Sequence, residues 1–173
     1  MNEQAYLNDC LMQFKKLKTQ ADRSIAQITD EHFFAVLDPE SNSIAILMKH
    51  VAGNMKSRWT DFLISDGEKP NRDRDNEFEI SASDSKSAVR AAWEEGWACT
   101  LNAVSTLTPN DLDKTVTVLG EAHSVFQAIN RQLTHYAAHV GQIVFLAKHF
   151  AGSNWQTLTI PRGKSKVCET PKQ

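Results

Sequence analysis

Four stretches of the chain repeat apolar residues at intervals of three and four, the spacing that lines one face of a helix. The first runs from about Glu3 to Ile28 and aligns Leu7, Leu11, Phe14, Leu17, Ala21, Ile25 and Ile28. After a short extra turn at 29–34, capped by Thr29 or Asp30, Asp38-Pro39 breaks the pattern. The second begins at an Asn42 or Ser43 cap and ends near Ser65, with Ile44, Leu47, Met48, Val51, Met55, Trp59 and Phe62 on one face. The third, from about Asp84 to Leu107, carries Val89, Ala92, Trp93, Trp97, Leu101, Ala103 and Val104. The fourth starts between Glu121 and Ser124 and reaches about His149, with Gly152 as its stop. Its stripe is Phe126, Ile129, Leu133, Tyr136, Ala137, Val140, Ile143, Val144 and Ala147. The tryptophan pair Trp93 and Trp97 reads as a core wedge.

The segments between them are as informative. Residues 66–83 are charged, contain Gly67 and Pro70, and show no helical period. So long a connection is uncommon between packed helices unless it crosses the domain or covers a site, which makes the second and third helices candidates for parallel neighbours. Thr108-Pro109-Asn110-Asp111 predicts a stop and a turn. The β-branched alternation of Lys114–Gly120 predicts a short strand-like excursion. Beyond Gly152 periodicity is lost, and a tail is expected that packs at first through Trp155 and Leu158. The organisation expected is an all-α domain over residues 1–152, a four-helix bundle, followed by a tail over 153–173.

Composition narrows the function classes. Nineteen Lys and Arg against 21 Asp and Glu give a formal charge of -2, which argues against nucleic acid as the partner. No apolar run approaches a membrane span, and the acidic, amphipathic N-terminus is no signal peptide. Cys10, Cys99 and Cys168 are odd in number and far apart, without metal-knuckle spacing, and read as reduced thiols of a cytoplasmic protein.

The chemistry-bearing candidates are histidines. His135 and His139 stand four residues apart, one turn of helix, so both imidazoles share a face and can grip one metal ion. The same spacing also suits ordinary polar residues flanking a bundle stripe. On the second helix His50, Asn54 and Arg58 form a row at intervals of four, off the apolar stripe, which can line a cavity or face water. Gly53 in that helix asks for close packing or a ligand. His50 with His135 and His139 makes a three-imidazole set that leaves a metal position open, the pattern of a catalytic centre. Zinc or nickel suits such donors best, with iron or manganese next and copper not excluded by ligand type. Asn54, Arg58 and Gln142 are candidates for substrate contact or support of the ligands, with Arg131 and Gln132 alongside. No catalytic carboxylate stands beside the histidines in sequence. There is no P-loop, nucleophile elbow or dinucleotide fingerprint.

The strings SIAILMKHVAGNMKSRWTDFLISDGEKPNRDRDNEFE and AINRQLTHYAAHVGQIVFLAKHF resemble the DinB-like (YfiT-like) superfamily, in a bacterial branch, over about residues 5–150. The resemblance implies a four-helix bundle running up-down-down-up, with a long crossover between the second and third helices. It also implies a metal held by one histidine on the second helix and an H-x-x-x-H pair on the fourth, positions matched by His50, His135 and His139. Relatives of that kind include transferases and isomerases that use low-molecular-weight thiols such as bacillithiol, together with hydrolases, and many are dimers. The expectation is therefore a metal-dependent enzyme acting on a small molecule, in a protein that can form a homodimer. The alternative is a metal-binding or stress-associated bundle protein without turnover.

Overall fold

The computed structural model describes residues 2–166. Among them are five α-helices and one two-stranded sheet: α1 (Glu3–Ile25), α2 (Asp30–Phe34), α3 (Ile44–Trp59), α4 (Lys86–Ser105), β1 (Thr115–Val118), β2 (Glu121–Ser124) and α5 (Val125–Ala151). Among the described residues no helix is long and apolar enough to cross a membrane. Cys168 lies outside the described residues; Cys10 and Cys99 are free thiols on α1 and α4.

Each long helix begins where a side-chain oxygen can take up a free backbone N–H. Asn2, Ser43, Ser85 and Ser124 cap α1, α3, α4 and α5, and Thr29 caps α2. Ser124 and Gln127 complete a reciprocal capping box. The apolar stripes meet in one core that includes Phe14, Met55, Trp93, Trp97, Ile129 and Tyr136. Trp93 and Trp97 are a buried edge-to-face pair, with centroids 5.5 Å apart. Of the expected stripes, Ala137 is exposed, one position past the edge of the buried face of α5.

The pairings set helix direction. Lys56 reaches Glu95 and Thr60 meets Cys99, so α3 and α4 run parallel. Gly96 is the hinge of that contact, because a Cβ there would lie 3.1 Å from the Ala52 Cα. Tyr6 touches Phe126 and Phe14 touches Tyr136, so α1 and α5 are parallel as well. His50 meets His139 while Asn54 meets Tyr136, which makes α3 and α5 antiparallel.

Three boundaries differ from the sequence reading. α1 stops at Ile25, short of Ile28. α3 stops at Trp59 and does not continue to Ser65, because Thr60 is extended and Asp61 adopts a left-handed φ of 50°. Phe62 still packs on Trp59 from the turn that follows. Glu121–Ser124, taken as the start of the fourth helix, is instead β2, and His123 stands in this strand opposite Val116. Leu119 and Gly120, with φ of 56° and 77°, form a two-residue hairpin turn whose positive φ values match the strand twist.

A leucine there is strained, and the connection from α3 offsets the strain. The Asp66 carboxylate accepts the N–H of Leu119 at 3.0 Å and of Gly120 at 2.9 Å. The Gly67 N–H donates to Thr117 O at 2.7 Å, and the Ser57 hydroxyl donates to Gly67 O at 2.8 Å. The long connection is thereby tied to both α3 and the hairpin. At the other end Gln27 bonds Gln156, Arg23 bonds Leu158 O, and Trp155 packs on the core, so the first part of the tail lies along α1.

Ahead of the hairpin, the Thr108 N–H and hydroxyl both donate to Asp111, and Lys114 pairs with it at 2.7 Å. The Lys114 partner and the Thr108 donors pull the Asp111 carboxyl down to about 2. Asp111→Asn should therefore destabilise the fold by about 1 kcal/mol at neutral pH. A carboxyl held below its unfolded value contributes fully above that value and loses its contribution as it protonates. Urea titrations of both proteins should show the gap closing as pH falls from about 4 towards 2.

Candidate metal centre

His50 projects from the middle of α3, and His135 and His139 from successive turns of α5. Antiparallel packing of these helices brings the three imidazoles together. Each offers a nitrogen, and the three nitrogens lie within 4.8 Å of one another. Nε2 of His139 is 3.0 Å from Nε2 of His135, and the His50 ring sits 5.0 Å and 5.5 Å from the other two. Two nitrogens bound tetrahedrally to zinc at about 2.0–2.1 Å would stand about 3.3 Å apart, so the pair is already near a chelating separation.

The outward nitrogens explain why the inward ones are available. Nδ1 of His50 is 2.9 Å from Glu77 Oε2. Glu77 accepts two further bonds from Arg72, both 2.8 Å, in a forked pair. Burial works to raise the Glu77 carboxyl, but the His50 and Arg72 hydrogen bonds and the Arg72 charge outweigh it and hold it below the usual range. An ionised carboxylate only accepts, so His50 Nδ1 donates to it, and Nε2 is the nitrogen left without that bond. Nδ1 of His139 bonds Gln142 Oε1 at 2.9 Å and is fixed in the same sense. Carboxylates and amides behind metal-binding imidazoles do this, setting the tautomer and the ring plane. Burial, followed by the neighbouring imidazoles, pulls His135 down to about 3. Burial also lowers His139, partly offset by Gln142. Both are thus neutral near pH 7, the form that binds a metal. The donor set fits a divalent transition ion.

Glu77 corrects the expectation that no carboxylate stands beside the histidines. It arrives from the long connection, on one turn of 3-10 helix at Asn76–Phe78, which also lays Phe78 against His50 with centroids 4.5 Å apart. Gly53 now has its reason. A Cβ at that position would collide with the Glu77 carboxylate, coming within 2.7 Å of its Cδ. Arg72 and Glu77 lie in a stretch without periodicity, so only the unexplained helical glycine pointed towards them.

His50, Asn54 and Arg58 are 4%, 5% and 6% exposed, so their row faces the interior and is no solvated edge. Asn54 Oδ1 accepts from the Tyr136 hydroxyl, which itself accepts from Trp59 Nε1 at 3.0 Å. All three residues line a cavity of about 610 Å³ that also reaches His135, Gln132 and Arg131. Gln142 contacts His139 from the far side, away from that cavity. The remaining histidines stand apart from the centre: His32 stacks on Phe150, and His123 is in the hairpin.

The chain matches the model of a family described as a protein of unknown function, DUF1572, over residues 2–164, and belongs to that family. No curated protein matches it.

Glu77 and Gly53 occupy the same space from opposite sides. Gly53→Ala should destabilise the wild type by about 1–3 kcal/mol, because the new methyl displaces a buried, doubly bonded carboxylate. In a Glu77→Ala background the obstacle is gone, and the same change should become neutral or stabilise by up to about 1 kcal/mol through helix propensity. A double-mutant cycle by urea unfolding reads this directly. Additive effects would mean that Glu77 does not sit against position 53.

Proposed function

We propose that this DUF1572 protein is a metal-dependent enzyme acting on a small molecule, with His50, His135 and His139 as the ligands of one divalent transition metal. Zinc or nickel is the ion the donors favour, with iron or manganese next. Its four long helices, α1, α3, α4 and α5, are proposed to form a DinB-like (YfiT-like) four-helix bundle of up-down-down-up order. The α3–α4 connection is the crossover of that bundle. The observation that carries the reading is the convergence of three imidazoles from two helices, two of them held from behind by Glu77 and Gln142.

A bound ion would supply Lewis acidity, lowering the pKa of a thiol or water and polarising an electrophile. The chain's own residues do the rest. Glu77 and Gln142 keep the ligand lone pairs directed inward. Three protein ligands leave room for a fourth group, as catalytic centres do and closed structural sites do not. Asn54 and Arg58 line the cavity on the substrate side. Among the described residues no side chain in the site is placed as a nucleophile, which favours a reaction whose nucleophile is brought in: transfer of a low-molecular-weight thiol of the bacillithiol type, or hydrolysis by water.

Metal analysis of protein purified without a histidine tag tests the ligand set. Wild type should hold one ion per chain, and His50→Ala and His135→Ala should each lose it while remaining folded. A wild type without stoichiometric metal, or a variant that keeps it, sinks the reading. A conjugation screen with bacillithiol and simple electrophiles, run on loaded and stripped protein, then separates an enzyme from a protein that binds metal without turnover.

A further inference from the structure

The cavity beside the histidines is lined by four arginines, Arg58, Arg72, Arg74 and Arg131, against the single carboxylate of Glu68. Arg72 is fully engaged, by Glu77 on one edge and Glu68 on the other. Arg58 lies 3.0 Å from the same Glu68 oxygen, so one carboxylate serves two guanidinium groups. The Arg58 side chain is only 7% exposed; its Nη1 is the atom paired with Glu68, at an angle too poor for a hydrogen bond, and its Nε makes no hydrogen bond among the described residues. Arg74 and Arg131 have no carboxylate partner among those residues. Beside them Gln132, 3% exposed, leaves Oε1 unbonded.

Buried polar atoms are almost always satisfied, and a buried charge without full compensation is costly. Arg58 carries both burdens in a wall that faces a cavity. Burial weakens its hold on its proton; Glu68 opposes that, while the charges of Arg72 and Arg131 add to it. An anion in the cavity would give Arg58 acceptors and relieve the repulsion among the arginines, although the Gln132 Oε1 needs a donor in its place.

We propose that this cavity is the recognition pocket for an anionic group of the substrate, a carboxylate or phosphate held by Arg58 and Arg131, with the rest of the molecule extending to the three histidines. The inference rests on the metal-centre reading for what happens at the far end of the substrate. Recognition of the anion does not depend on it.

The test is calorimetric titration of inorganic phosphate and, separately, of succinate into the full chain as purified. Arg131→Gln, Arg58→Gln and wild type stripped of metal by chelation are titrated alongside, with metal content measured on every sample. Wild type should bind at least one of the two anions, and the one bound names the group. Affinity should fall about tenfold or more in Arg131→Gln, the loss expected for a charge-assisted hydrogen bond. It should stay within a few-fold in wild type stripped of metal by chelation. Arg58→Gln can unfold the chain because Arg58 is buried; Arg131 is exposed, so its variant decides. The proposal is overturned if neither anion binds, or if Arg131→Gln binds as the wild type does. Binding lost in the stripped wild type but kept in Arg131→Gln also overturns it, because the anion would then be sitting on the metal. Arg131-dependent binding by a chain that holds no metal would support the pocket and remove the metal centre. Metal without such binding would do the reverse.

Discussion

The Glu77 carboxylate is the constraint on which the site depends. It is buried, it bonds an imidazole from α3 and a guanidinium from its own connection, and it lies where only a glycine on α3 gives it room. A carboxylate in such a place would be expensive without partners. With three charge-assisted bonds it becomes a fixed point. It joins the long connection to the helix that carries His50, and it sets which nitrogen of that histidine is free.

The connection is therefore part of the site's frame. Ser57 and Lys49 of α3 hold its two ends, by bonds to Gly67 and to Glu79 and Asp84, while Asp66 holds the hairpin tip. The same segment delivers Phe78 to one face of His50 and Glu68 to the arginines. Glu77 completes the histidine centre and Glu68 leaves the neighbouring cavity short of negative charge. Two carboxylates nine residues apart thus serve different groups, Glu77 the histidine cluster and Glu68 the arginines of the neighbouring cavity.

Much of this was legible in the chain. The helices follow from apolar periodicity, and the parallel run of α3 and α4 follows from the length of the segment between them. The three histidines could be grouped because two share a face by spacing and the third lies on a similar flank. Glu77, Arg72 and Glu68 were not legible, since a charged stretch without period gives no register from which to say which residue turns inward. Asn54 and Arg58 were ambiguous for a related reason: a polar row off an apolar stripe looks the same whether it meets water or an interior cavity. The hairpin was half seen. Val116 and Val118 carry a strand signal, whereas Glu-Ala-His-Ser in β2 has none and takes its conformation from its partner and the turn.

Arg131 and His135 occupy the same face of α5, one turn apart, and His139 lies one turn further. Helical rise places successive members of that row about 6 Å apart along the axis. A single rigid helix therefore acts as a ruler, with a cationic mark at one end and a pair of imidazoles at the other. A molecule that spans one interval, with its reacting atom about five bonds from its charge, would register on both marks. One much shorter would reach only one of them.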